Sequence, residues 1–215
     1  MRGTRILVPM KTRTSHIVTT AALSVLLATQ ELDAQETALQ VDHYVPVVST
    51  APSMEGQTAQ IYVRERTLPT TPLRGSNLAG QVVLFVHGAG TPAEVAFDVP
   101  LEGYSWMTYL ADAGFDTFAM DTTGYGRSTR PHVMNDICNL SEQQQAAFIP
   151  TVLDAPCAPS YEFGATTIES DWHDIDAVVD YLRDLRNVQA VHLVAWSLGG
   201  PRAAGYTARH PEKVE

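Results

Sequence analysis

Basic residues are scarce in this chain: 14 Lys and Arg stand against 24 Asp and Glu, a net charge of −10 at pH 7. With no basic stripe to neutralise phosphates, nucleic acid is excluded as a partner. Cysteine is scarcer still, with Cys138 and Cys157 alone, and no Cys/His spacing marks a metal site. Nothing in the pattern calls for a cofactor. Nor does any apolar run reach the roughly 20 residues that a membrane-spanning helix takes. What remains is an ordinary globular composition, 45% hydrophobic and 18% charged over 215 residues, which fits one domain.

The first forty residues differ from the rest. Arg2, Arg5, Lys11 and Arg13 precede an apolar run from Ile17 to Ala28, followed by polar residues and Ala34. A basic start, a short apolar middle and a small-residue exit predict a secretory signal peptide over residues 1–34, cleaved after Ala28 or Ala34. A buried N-terminal helix is the alternative. Export implies a secreted or periplasmic protein with no stable membrane span after cleavage. In that setting Cys138 and Cys157 are expected to close a loop, whereas in the cytosol both would be free thiols.

Val41–Ser49 and Gln60–Thr67 read as strands joined by a turn at 51–56, an antiparallel hairpin. Alternation over Ile61–Arg66 predicts that its charges lie on a face open to water. Gln81–Val86 is a continuous apolar run, the pattern of a strand covered on both faces. A helix over Tyr104–Ala113, with Trp106, Leu110 and Ala113 on one side, leads to a strand at Phe115–Met120. Residues 129–167 break this rhythm with four prolines and both cysteines, and read as an insertion over the top of the sheet. Ile168, Trp172, Ile175, Val179 and Leu182 then recur at helical spacing, with acids and arginines assigned to the opposite face. The expected fold class is α/β, a mostly parallel sheet flanked by helices. Ligands in such sheets sit beyond the carboxyl ends of the strands, and three Gly-bearing loops fall there: 87–90, 121–128 and 195–200.

The last of these is the most informative. Ala190–Val194 is an apolar strand that stops at Ala195-Trp196-Ser197-Leu198-Gly199-Gly200, where a helical pattern begins at once. A serine between small residues on a strand-to-helix turn is the layout of a nucleophile elbow. The usual pattern has glycine on both sides, and Ala195 is the smallest departure from it.

The order of motifs, His87-Gly88, then Asp121-x-x-Gly-x-Gly-x-Ser128, then the serine turn, resembles that of the α/β-hydrolase fold superfamily over residues 41–215. The resemblance implies that Ser197 is the nucleophile and that the backbone N–H groups of Ala89 and Leu198 form the oxyanion hole. It casts His87, Gly88, Gly90, Gly199 and Asp121 as supporting loop residues, and the insertion as a cap with Phe148, Tyr161 and Phe163 as candidate pocket walls. The implied function is cleavage of carboxylic esters or related acyl bonds in a small-molecule substrate. Carbon–carbon bond hydrolysis, acyl transfer and a non-catalytic chain stay open as alternatives, whereas a serine at 197 disfavours epoxide and dehalogenase chemistry. The family takes its triad acid and histidine from loops downstream of the elbow helix. The chain as given has neither there, and His132, His173, His192 and His210 are poor substitutes. It is therefore expected to be a fragment lacking the last strands, poorly soluble or partly molten if made alone; a sharp monomeric melt would contradict this.

Overall fold

The computed structural model describes residues 38–69, 78–101 and 103–215, all of which belong to one compact unit, Gln35–Glu215. The expected signal peptide lies outside the described residues. Strands β1 (Leu39–Val48) and β2 (Thr58–Thr67) form the antiparallel hairpin, with Val45 opposite Ile61. There follow β3 (Val82–Val86), a short helix α1 (Ala93–Phe97), α2 (Trp106–Asp112) and β4 (Asp116–Met120). Next come α3 (Glu142–Gln145) within the insertion, α4 (Ile168–Arg186), β5 (His192–Ala195) and α5 (Gly199–Arg209). The sheet order is β1-β2-β4-β3-β5. β3 is parallel to both β4 and β5, while β2 runs antiparallel to β1 and β4.

Every residue of β3 is buried, and its alternation divides the core in two. Val82, Leu84 and Val86 face Ile175, Val179, Leu182 and Tyr206 of α4 and α5. Val83 and Phe85 face Phe97 and Met107 of α1 and α2. A strand that must satisfy two apolar layers has no position for a polar residue, hence the unbroken run. At the sheet edge β5 is only half covered. Val191 just before it makes a single parallel bridge to Val214.

Three expectations need correction. The charged residues of β2 are not on a wet face: Arg64 and Glu65 are 4% and 1% exposed. β2 lies inside the sheet, and each charge has a partner brought from afar. Arg64 and Arg66 pair with Asp98 at 3.0 and 2.9 Å, and Glu65 pairs with His43 at 2.6 Å and with Arg186. In α2 the buried side is Met107 and Ala111, while Trp106 is exposed and lines a groove of about 460 Å³ beside β5. In α4 the core face carries Asp171, Asp174 and Arg186 as well as the apolar stripe.

The insertion contains short turns and α3. Cys138 is bonded to Cys157, and Gln145 fills the loop they close. Its Nε2 donates to the carbonyls of Cys138, Leu140 and Cys157, and its Oε1 accepts from the Cys157 N–H at 2.9 Å. A cross-link closing a loop of this size stabilises by about 3 kcal/mol. Reduction should therefore speed proteolysis within residues 129–167 at least tenfold and leave the sheet's circular dichroism unchanged. An unaltered cleavage rate would contradict it.

Candidate active site

The serine turn begins where β5 ends. The Trp196 N–H donates to the Val86 carbonyl at 3.3 Å, and Ser197 has φ 55°, in the left-handed region. That conformation costs a non-glycine residue about 1–2 kcal/mol and persists only where the surroundings impose it. They do so here through Gly199, where α5 starts. A Cβ at this position would lie 2.2 Å from the Val86 carbonyl oxygen, so the helix begins hard against the end of β3. Ser197 is exposed at the rim, with its neighbours Trp196 and Leu198. A helix N-terminus at this point favours negative charge. Ala195 is exposed too, so its methyl group meets no obstacle where the usual pattern has glycine.

The loop after β3 faces this turn. His87 is fully buried; its Nε2 lies 3.2 Å from the Thr122 N–H and must accept, so Nδ1 carries the proton and donates to the Gly88 carbonyl at 2.7 Å. Burial lowers its pKa and keeps it neutral. A Cβ on Gly88 would meet Ser197 Cβ at 2.8 Å and the Trp196 ring at 2.9 Å. The two loops are thus in contact at the one residue type that permits it. Ala89 and Gly90 are exposed beside them. Among the described residues neither the Ala89 nor the Leu198 N–H donates to a protein acceptor. Asp121, buried at the end of β4, accepts from the Ala93 N–H at 2.7 Å and the Arg127 N–H at 2.9 Å. It ties the 121–128 loop to the first residue of α1.

Sequence reasoning missed the charges beneath these loops. Arg202 of α5 is 2% exposed. Its Nε donates to Asp171 of α4 at 2.7 Å, and its Nη1 donates to the His87 and Gly88 carbonyls at 2.9 and 3.3 Å. Asp174 accepts from the Thr123 N–H at 2.8 Å. The available signal was charge at apolar-stripe spacing: 171 and 174 precede 175, 178 and 182 on one face, and 202 precedes 203 and 206.

Burial, opposed by the bond from Thr123, pushes Asp174 up to about 6. The folded chain then binds this proton more tightly than the unfolded chain does, so stability falls as pH rises through roughly 4–6, and the cost is fully present above that window. Asp174→Asn keeps an acceptor for Thr123 and removes the charge. It should stabilise by on the order of 2 kcal/mol at pH 8 and by almost nothing at pH 4. Melting temperatures of both proteins across this range check it; a difference independent of pH would contradict it.

Other candidates lie apart from the serine. His132 and His173 are exposed. His192 sits by the Gly80 carbonyl at 3.2 Å and Glu215 at 3.6 Å, and His210 by Asp176 and Glu212 at 4.0 and 3.9 Å. No imidazole or carboxylate among the described residues is hydrogen-bonded to Ser197. Tyr161 and Phe163 line a cleft of about 270 Å³ inside the insertion, together with Met134 and Leu140 but with no residue of the serine turn. Phe148 is half-buried in a turn after α3. Among the described residues no group of three or more His, Cys, Asp or Glu could hold a metal, and no helix is long and apolar enough to cross a membrane.

The family model for the alpha/beta hydrolase fold matches residues 81–215. The chain belongs to that family. No curated protein sequence matches. Among solved structures, an epoxide hydrolase from Vigna radiata is 23% identical, with TM-score 0.42, over 84% of this chain and 39% of its own. The haloalkane dehalogenase DatA from Agrobacterium tumefaciens is 20% identical, with TM-score 0.44, over 81% and 38%. A thioesterase domain from the curacin biosynthetic pathway is 20% identical, with TM-score 0.45, over 82% and 42%. The chain thus spans about two-fifths of the length of these proteins, and at such identities the likeness concerns the fold alone.

Proposed function

We propose that this chain carries the nucleophile and the oxyanion hole of a serine hydrolase acting on carboxylic esters or related acyl bonds of a small-molecule substrate. The supporting observation is the exposed Ser197, held at φ 55° against Gly88, with the undonated amides of Ala89 and Leu198 beside it. The Ser197 hydroxyl adds to the acyl carbon, and the carbonyl oxygen becomes an anion that those two N–H groups hold. The N-terminus of α5 favours the same charge. The proton must pass to an imidazole, and none of the described histidines reaches Ser197, so the base is assigned to residues other than those described. The insertion at 129–167 serves as the cap, and residues 1–34 as an export signal. The Cys138–Cys157 bond supports an oxidising compartment. The intact mass of the exported protein checks the leader: it should lack those residues.

A fluorophosphonate probe tests the chemistry, because it reacts only with an activated serine. The full-length gene product should label at Ser197, and Ser197→Ala should not. Absence of labelling in the unaltered protein would contradict the reading.

A further inference from the structure

Arg202 joins the helix that begins at the serine to the loop that faces it. A buried arginine is ordinarily accounted for by its carboxylate, and Asp171 supplies one at 2.7 Å. The same guanidinium also reaches two consecutive backbone carbonyls, those of His87 at 2.9 Å and Gly88 at 3.3 Å, and lies 5.3 Å from the centroid of the Tyr125 ring.

The second carbonyl matters for the chemistry. A trans peptide is planar, with its C=O and N–H pointing in opposite directions. The Gly88 carbonyl and the Ala89 N–H belong to one such unit. His87 Nδ1–H and Arg202 hold that carbonyl inward, at 2.7 and 3.3 Å. The Ala89 N–H is thereby turned outward, to the exposed rim where Ser197 stands. Rotation of this peptide would replace the donor by a carbonyl oxygen, which repels a developing anion. We propose that Arg202, oriented by Asp171, is a positioning residue of the oxyanion hole: it locks the 88–89 peptide so that the Ala89 amide stays aimed at the oxygen bound to Ser197. The proposal rests on the serine-hydrolase reading above. It also gives a reason for Arg202 to stand on α5, because one side chain then fixes the nucleophile's helix and the oxyanion loop relative to each other.

The test uses the full-length protein, a p-nitrophenyl ester and an alkyl boronic acid, which forms a tetrahedral adduct on an active serine. In Arg202→Met, kcat should fall about 10- to 100-fold with KM within twofold. That is less than the 10²–10³ of a donor removed outright, because His87 still holds the Gly88 carbonyl. The boronate inhibition constant should rise by the same factor as kcat/KM falls, the mark of a contact made only to the tetrahedral state. Asp171→Asn, whose amide oxygen still accepts from Nε, should fall between this variant and the unaltered protein. Unchanged kcat and inhibition constant in folded Arg202→Met would overturn the proposal. So would a loss of rate that merely follows the folded fraction, with the inhibition constant unmoved. Should Arg202→Met not fold, Arg202→Lys must show the same parallel change, since an ammonium cannot span Asp171 and both carbonyls; without it the proposal falls. Failure of the unaltered protein to label at Ser197 is a separate result, seen before any variant is made, and removes the underlying reading as well.

Discussion

Replacing Ser197 by alanine is expected to lower ester hydrolysis by the full-length protein by about 10⁶-fold, the loss seen when a triad serine is removed. The fold should survive, because the hydroxyl is exposed and makes no hydrogen bond among the described residues. Glycine at the same position separates chemistry from structure. Ser197→Gly should be equally inactive yet more stable by about 1 kcal/mol, since φ 55° is a left-handed conformation that a Cβ disfavours. Melting temperatures of the full-length protein and its Ser197→Gly and Ser197→Ala variants check this. If glycine were no more stable than serine or alanine, the turn would not be strained and the argument from geometry would lose its basis.

The second large effect is structural. Gly199→Ala would place a methyl group 2.2 Å from the Val86 carbonyl and 2.9 Å from that of His87. Both are backbone atoms at the end of a fully buried strand, so neither can give way cheaply. A cost of about 3 kcal/mol or more is expected, together with loss of labelling at Ser197, because α5 can relieve the contact only by carrying the serine with it. Gly200→Ala is the control. Nothing lies within 4 Å of a Cβ there, and alanine in a helix should be neutral or stabilising by about 0.5 kcal/mol. Equal melting temperatures for the two variants would contradict the close approach of helix to strand.

These two glycines show what was legible in the sequence. The small-x-Ser-x-Gly turn was recognisable because steric crowding at a strand-to-helix turn admits few residue types, and such crowding is a local matter. The same holds for the unbroken apolar run at 82–86, which two covering layers demand. What escaped detection depends on partners distant in the chain. Arg64 and Glu65 read as solvated until Asp98 and Arg186 are placed against them. Trp106, Leu110 and Ala113 share one side of the helix by spacing, yet the residues that α2 buries are Met107 and Ala111. Arg202 and Asp171 interrupt otherwise apolar stripes, and spacing alone does not say whether such a charge meets water or a buried counter-charge. The structure supplies the distinction, since both are buried and face each other at 2.7 Å.

The central claim is that Ser197, Leu198 and Ala89 converge on one reacting oxygen. A crystal structure of the full-length protein inactivated with a phosphonate ester tests it most directly. Phosphorus should be bonded to Ser197 Oγ, with the phosphoryl oxygen within about 3 Å of both the Leu198 and Ala89 nitrogens. An adduct on another residue, or a phosphoryl oxygen directed away from the Ala89 amide, would contradict the account.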